Sequence, residues 1–422
     1  MAKTIWILNH YAGSMISKEG GRHYWFAKFL KKAGYKTVVF CANSGHDKGG
    51  EPYFTFDGLW EEHIAEKIDI PFIYVKARAY KSNGKDRILN MYDFYKNVKK
   101  AAKQYAERTE KPDVILASSV HPLTLVAGLK LAKHFGVKCI CEVRDLWPES
   151  IVAYSKRWTR TSPLMRVLYR EEKRIYTKAD KVIMTWPGGY DYIVEQGWDK
   201  QIPLDKVVYI PNGLDLAEFE KNAAAEICPD PELLDMSKKK FVYTGAIRQV
   251  NNLGMIVDAA KILWDRGFTE AEILIYGGGV NDESEELSQK VKSLELDNIK
   301  FRGRIPKTQI PSALRKADFT LLHNSSTSLD KYGQSQNKFF EYLGAGKPIL
   351  MTYAVGHSVV KERGCGVELE KQGPTEIADA IEKLCSLPEE TYQQYASHSH
   401  ETAKDFDFAN LTEKLIDVIE SL

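Results

Sequence analysis

The sequence predicts an α/β protein of two doubly wound domains, each built on a parallel sheet. Three observations carry that prediction. Short apolar runs alternate with amphipathic segments along the chain, the pattern of parallel strands joined by helices. Glycine- and turn-rich segments recur directly after the strand-like runs. The length, 422 residues, exceeds what one core ordinarily serves and suggests two domains of roughly 200 residues.

The elements follow in order. In the first half, Thr4–Asn9 reads as a strand, Gly21–Ala33 as a helix and Thr37–Cys41 as the next strand. Val114–Ala117, a helix over about Leu123–His134 and the strand Lys138–Val143 come next. A helix over about Pro163–Thr177 precedes the short strands Lys181–Thr185 and Val207–Ile210. Pro211-Asn-Gly-Leu-Asp215 is a turn-rich exit, and the polar, proline-containing segment 216–238 reads as the linker. The second half restarts with strand Lys240–Thr244, helix Leu253–Arg266 and strand Glu272–Tyr276, followed by the glycine run Gly277–Gly279. A helix near Glu283–Leu294, strand Ile299–Phe301, helix Lys307–Lys316 and strand Phe319–His323 continue the alternation. Around Ser335 a loop becomes a helix, which Gly344, Gly346 and Pro348 close before strand Ile349–Thr352. The tail Glu401–Leu422 carries Leu411, Leu415, Val418 and Leu422 at helical spacing.

Composition narrows the class. Apolar content of 44% and charged content of 27% are those of a globular protein. The net charge of +2 conceals an asymmetry: residues 1–210 hold 35 Lys and Arg against 23 Asp and Glu, residues 211–422 hold 24 against 34. A basic half either meets an anionic partner or attracts the acidic half. Two basic-aromatic stretches are candidates for an anionic membrane surface, and solvated helix faces are the alternative. The first, Tyr74–Tyr105, holds Lys76, Arg78, Lys81, Lys85, Arg87, Lys96, Lys99, Lys100 and Lys103. The second, Lys156–Lys181, holds Arg157, Trp158, Arg160, Arg166, Arg170 and Arg174. No stretch of about twenty apolar residues could cross a bilayer, and Ile5-Trp-Ile-Leu8 is too short for a secretory signal. Six scattered cysteines without metal-type spacing predict buried thiols in a reducing compartment. A cytoplasmic chain follows, at most peripheral to the inner membrane face.

The most informative segment is Tyr332-Gly-Gln-Ser-Gln-Asn-Lys-Phe-Phe-Glu-Tyr-Leu-Gly-Ala-Gly-Lys-Pro348. Lys338 and Glu341 stand three apart and share a helical face. A cation near a helix N-terminus suits phosphate; a carboxylate one turn on suits sugar or ribose hydroxyls. With Thr244-Gly-Ala-Ile-Arg248, Gly277-Gly-Gly279, Phe301-Arg-Gly-Arg-Ile-Pro306 and Ile210-Pro-Asn-Gly-Leu-Asp215, this series resembles glycosyltransferase family 4, retaining enzymes of the GT-B fold. In the first half, Gly20-Gly21 opening a helix, His121 after a strand and Arg144-Asp-Leu-Trp-Pro-Glu-Ser150 agree. The last is similar to the subset that builds bacterial O-antigen, capsule and exopolysaccharide, including fucosaminyl-transferase-like members.

The resemblance implies two Rossmann-like domains facing an interdomain cleft. Residues 1–212 would form the acceptor side and 213–400 the nucleotide-sugar side, with a C-terminal helix over 401–422 packing back on the first. It implies His121, Arg248 and Lys338 as catalytic residues, His121 contacting the donor sugar rather than acting as a conventional base. It implies Gly20, Gly21, Gly278, Gly279, Arg304, Ile305, Ser335, Asn337 and Glu341 around the donor. Gly20-Gly21 either admits phosphate to backbone N–H groups or is a plain loop pair, and Ser335 and Asn337 either contact phosphate or cap the helix. Arg144, Asp145, Trp147 and Glu149 either recognise the acceptor or form a salt bridge around a packed tryptophan. Two departures stand out. The first of the family's paired glutamates falls on Gly333, and no lysine follows Arg248 in Gln249-Val-Asn-Asn-Leu253; Lys338 would replace that charge.

A metal-independent transferase follows. It would need no cofactor beyond a nucleotide-sugar cosubstrate, a UDP-sugar, and would act on a glycan or polyprenyl-diphosphate-linked acceptor with no nucleic acid. Asp405-Phe-Asp407, the sole Asp-x-Asp, lies past the last α/β element and reads as helix-start acids. A UDP-N-acetylhexosamine 2-epimerase of the same fold and a non-catalytic nucleotide-sugar-binding protein are the alternatives.

Overall fold

The computed structural model describes residues 2–45, 48–81, 84–155, 157–278 and 283–422. The chain divides into two compact units, Met1–Pro211 with Phe408–Leu422, and Asn212–Asp407.

Among the described residues unit 1 carries eight strands: β1 (Thr4–Asn9), β2 (Lys36–Ala42), β3 (Trp60–Ala65), β4 (Ile70–Val75), β5 (Val114–Ser118), β6 (Lys138–Val143), β7 (Lys181–Met184) and β8 (Val207–Tyr209). They form one sheet in the order β3-β4-β2-β1-β5-β6-β7-β8, parallel except for β3, which pairs antiparallel to β4 at the edge. All six residues of β1 are buried, as a central strand covered on both faces requires. Its helices are α1 (Ser14–Ser17), α2 (Arg22–Lys32), α3 (Lys85–Arg108), α4 (Pro122–Phe135), α5 (Glu149–Tyr154), α6 (Pro163–Lys178) and α7 (Gly189–Glu195). The register pairs Asn9 with Ser118, so His10 and His121, just beyond those strands, emerge at the same C-terminal edge of the sheet.

Unit 2 holds α8 (Leu216–Ala225), β9 (Lys239–Ala246), α9 (Leu253–Asp265), β10 (Ala271–Gly278), α10 (Glu283–Ser293), β11 (Ile299–Gly303), α11 (Ile310–Lys316) and β12 (Phe319–Leu322). It continues with α12 (Asn337–Ala345), β13 (Ile349–Met351), α13 (Val359–Arg363), β14 (Gly366–Glu368), α14 (Pro374–Cys385) and α15 (Glu389–Asp405). Its six strands run parallel in the order β11-β10-β9-β12-β13-β14. Apolar clusters cover both faces. Gly277 is required where β10 meets β9: a Cβ there would lie 1.8 Å from the Gly245 carbonyl oxygen.

Three expectations need correction. Segment 216–238 is no linker: α8 begins at Leu216, capped by the Asp215 carboxylate, and packs Phe219 into unit 2. The tail is not one helix. α15 ends at Asp405, whose carboxylate meets Arg363 at 3.2 Å, and α16 (Phe408–Glu420) starts afresh and packs on α2 through the Phe26–Phe408 edge contact at 5.4 Å. The stretch 60–108, left without elements, holds the β3–β4 pair and the 24-residue α3.

All six cysteines are free thiols, five of them buried. Among the described residues no helix is long and apolar enough to cross a membrane.

Candidate functional site

The C-terminal edge of each sheet gathers polar groups. In unit 1, β6 delivers Glu142 to a buried network. The Arg22 Nε donates to its Oε1 at 2.8 Å, His23 Nε2 lies 3.0 Å from Oε2, and the Ser118 hydroxyl donates to Oε2 at 2.6 Å. Asn9 donates to Ser118 at 3.2 Å, while the rest of the Arg22 fork donates to the carbonyls of Ile210 and Pro211. Burial would raise the Glu142 carboxyl, but Arg22 and His23 hold it well below the usual range. Burial lowers His23 below its ordinary value despite the facing carboxylate. The network anchors the first turn of α2. Gly21, the N-cap, has φ +116°, a conformation that glycine alone adopts freely. Gly20 donates its own N–H to the Met15 carbonyl at 3.1 Å, so only the turn after it is left to face an anion.

His121 caps α4 and is buried beside His10, with its Nε2 2.9 Å from His10 Nδ1. Burial, reinforced by the nearby Arg87, pushes His121 down to about 3; burial first, then His121, hold His10 well below its ordinary value. Both rings are therefore neutral at pH 7. Asn90 faces His10, and its amide nitrogen donates to Ser44 and to the Arg78 carbonyl. The Asn90 oxygen and His10 Nε2 are both buried and have no hydrogen-bond partner among the described residues. The two rings share one hydrogen bond, whose direction follows the tautomer, and His121 Nδ1 is a buried ring nitrogen with no partner among the described residues.

The candidates after β6 separate. Arg144, Asp145 and Trp147 lie at the sheet edge, with the Arg144 carbonyl accepting from Trp186 Nε1 at 2.9 Å. Glu149 takes the salt-bridge alternative. It is buried against Arg160, with contacts of 3.1 and 2.8 Å, and accepts from the Tyr169 hydroxyl. A carboxylate so occupied holds α5 to α6 and is not free for an acceptor.

In unit 2, Tyr243 on β9 organises the site. Its hydroxyl donates to the Ala246 carbonyl at 3.0 Å and accepts from Lys338 Nζ at 2.9 Å, while the ammonium sits 4.3 Å from its ring centroid. Lys338 also donates to the His323 carbonyl at 3.3 Å, leaving one N–H of three. Burial pushes Lys338 down to about 7. Arg248, exposed just past β9, acts electrostatically on the same Tyr243 and has no hydrogen bond or ion pair among the described residues. His323 is fixed by Asn252 O at 3.0 Å and Thr352 Oγ1 at 2.5 Å; burial pushes it down to about 4.

α12 begins at Asn337 and not at Ser335; its N-cap is Gln336, without a side-chain cap. Ser335 binds Asn212 instead: its hydroxyl accepts from the Asn212 N–H at 3.0 Å and its carbonyl from the Asn212 amide at 2.8 Å. Asn337 is exposed at the first turn. Glu341 has no hydrogen-bond partner among the described residues; burial raises its carboxyl, with Lys307 opposing. Arg304 lies over Gly278, where a Cβ would come 2.5 Å from its Nε. Ile305 packs against the unit 2 core, and Gly279 lies outside the described residues. Among the described residues no group of three or more His, Cys, Asp or Glu is placed to hold a metal ion.

The structure thus brings Arg248, Lys338 and Glu341 to one edge of unit 2 and His121 to the corresponding edge of unit 1. It adds His10, Asn90, Glu142, Tyr243 and His323, which the sequence reading did not single out. The signal for His10, Glu142 and His323 was position alone, at or just past strand ends; Asn90 sits on α3 and Tyr243 inside β9.

Comparison with known proteins agrees with both halves. Residues 24–218 match the model of Glycosyltransferase Family 4, and residues 238–386 that of Glycosyl transferases group 1. WbjE of Pseudomonas aeruginosa, described as a probable glycosyltransferase, is 21% identical over 409 residues, spanning 91% of this chain and 90% of its own. The crystal structure of Anabaena Alr3699/HepE in complex with UDP superposes with a TM-score of 0.69 at 16% identity, covering all of both chains. That of WaaG, a glycosyltransferase involved in lipopolysaccharide biosynthesis, gives 0.64 at 15% identity over 98% of this chain and 99% of its own. Two parallel-sheet α/β domains, strand-edge sites and both family matches agree: the chain belongs to glycosyltransferase family 4 and has the GT-B fold.

Proposed function

We propose that this transferase moves a hexose or N-acetylated deoxyhexose from a UDP-sugar to a lipid-linked or growing glycan in bacterial surface polysaccharide biosynthesis, with retention of configuration. The observation that carries the reading is the open cationic edge of unit 2, Lys338 and Arg248 around Tyr243 with unpartnered Glu341 one turn along α12. Negative charge grows on the leaving diphosphate in the transition state, and two cations preorganised beside it stabilise that charge without a metal. Glu341 accepts from the ribose hydroxyls. The acceptor oxygen forms its bond to the anomeric carbon as the bond from that carbon to the phosphate oxygen breaks, and the leaving phosphate takes the acceptor's proton. His121 Nδ1 accepts from a hydroxyl of the transferred sugar, a role suited to a neutral imidazole whose outer ring nitrogen has no partner among the described residues. Support for the base comes from the UDP bound to HepE, and for the pathway from WaaG. The protein would act in the cytoplasm, at the inner membrane face.

The test is nucleotide release from a panel of UDP-, GDP- and ADP-sugars, with and without bacterial membrane lipid extract. Lipid-stimulated release from one UDP-sugar is expected. Binding of UDP with silence across the panel would instead favour a nucleotide-sugar sensor.

A further inference from the structure

α3 and α4 of unit 1 enclose a groove of about 350 Å³ lined by lysine: Lys96, Lys99, Lys100 and Lys103 from α3, and Lys130 with Leu131 from α4. Tyr95 arranges two of the ammonium groups. Lys130 donates to its hydroxyl at 2.5 Å, and Lys99 Nζ lies 3.7 Å from its ring centroid. None of the five has a carboxylate partner among the described residues. Basic residues nearby are matched: Arg78 pairs with Asp93 at 2.6 Å and Lys138 with Asp180 at 2.8 Å. In the second basic stretch, whose Lys156 lies outside the described residues, Arg160 pairs with Glu149 and Glu195 and Arg174 with Glu171. Five like charges in one concavity repel one another unless anions gather there, and the tetrahedral, multiply charged anion that lysines hold best is phosphate.

The same helix decides which phosphate. Ile88 and Tyr92 on α3 are 64% and 52% exposed. Positions 88, 92, 96, 99 and 103 follow the spacing of one helical face, so an apolar pair leads into the lysines. Exposed apolar residues beside ammonium groups on long stems suit a headgroup layer; a soluble anion would leave the apolar pair in water.

We propose that this face of unit 1 docks on an anionic phospholipid surface, with phosphate headgroups seated in the lysine groove and Ile88 and Tyr92 entering the headgroup layer. It deepens the reading of a lipid-linked acceptor by naming the surface that brings the enzyme to it, and it involves no residue of the donor site.

The experiment is sedimentation of the full chain with vesicles of phosphatidylcholine alone or mixed with phosphatidylglycerol, independent of any transfer assay. Binding to the anionic vesicles only, weakening with salt, is expected. The pair Lys99→Gln and Lys103→Gln should weaken it on the order of 20-fold, since each lysine contributes about five-fold. The pair Lys32→Gln and Lys414→Gln, on α2 and α16, changes net charge equally and should leave it nearly intact. Ile88→Ser with Tyr92→Ser should weaken binding several-fold without changing its salt dependence. Equal loss from both lysine pairs would reduce the effect to net charge and overturn the proposal. So would absence of vesicle binding with calorimetric binding of inorganic pyrophosphate that Lys99→Gln with Lys103→Gln removes and Lys338→Met does not, which would assign the groove to a soluble anion. Vesicle binding without nucleotide release would sink the proposed function and leave the docking surface standing.

Discussion

The two sheets end in different chemistry. At the edge of unit 1, the groups around α2 and β6 answer one another: Arg22 meets Glu142 and two carbonyls, His23 meets Glu142, and the neutral rings of His10 and His121 meet each other. At the edge of unit 2, Arg248 is exposed, Glu341 lacks a partner, and Lys338 is held only by a phenol and a carbonyl. One architecture used twice therefore separates two tasks. Buried charges that satisfy each other set a scaffold and present one neutral imidazole acceptor. Charges left without counter-charges keep their electrostatic free energy for an anionic ligand.

That contrast can be broken from either side. Glu142→Gln strands the buried Arg22 guanidinium and should lower unfolding free energy by about 3–5 kcal/mol, read by urea denaturation; a stability close to the parent would remove the scaffold assignment. Lys338→Met should do the opposite. Transfer rate falls by roughly 100- to 1,000-fold, while melting temperature holds or rises because a buried ammonium has been replaced by an apolar side chain. Unimpaired transfer would move the phosphate site elsewhere.

pH sharpens the comparison. Burial holds Lys338 near 7, so the cation that attracts the diphosphate is present below that pH and lost above it. Affinity for a UDP-sugar, by calorimetry, should fall by up to about tenfold per pH unit above 7, and Lys338→Arg should flatten the profile. His10 and His121, held far below their ordinary values by burial, should add no step between pH 6 and 8. Tyr243→Phe makes the smallest change. Losing the acceptor that orients Lys338 should cost about tenfold in kcat/KM, near the worth of one hydrogen bond to a charged group, and shift the pH midpoint. A tenfold loss with an unmoved midpoint would mean that the phenol acts on substrate directly.

The site residues differed in legibility for a physical reason. Lys338 and Glu341 lie three apart on one helix, and Arg248 ends a strand-turn motif, so local spacing exposed them. His10, Glu142 and Tyr243 draw their meaning from partners far along the chain: His10 from His121, 111 residues away, Glu142 from Arg22, 120 away, and Tyr243 from Lys338, 95 away. Glu149 stayed open between acceptor binding and a salt bridge because its local pattern fits both, until Arg160 and Tyr169 are seen to occupy it. α3 was hidden by its own composition. Met91, Phe94, Val98, Ala102 and Tyr105 keep helical spacing and are buried, but the interleaved lysines and tyrosines read as a basic-aromatic stretch.

By itself the sequence determined the alternation of strands and helices, the two-domain α/β class and a cationic helix opening near Ser335, two residues before its observed start, because hydrophobic periodicity, glycine placement and short-range spacing are local properties. Only the tertiary structure decided which charges are spent on the scaffold and which are left for a ligand, that His10 and His121 meet and that five lysines share one groove. Those depend on burial and on distances between residues a hundred positions apart, which no local pattern contains.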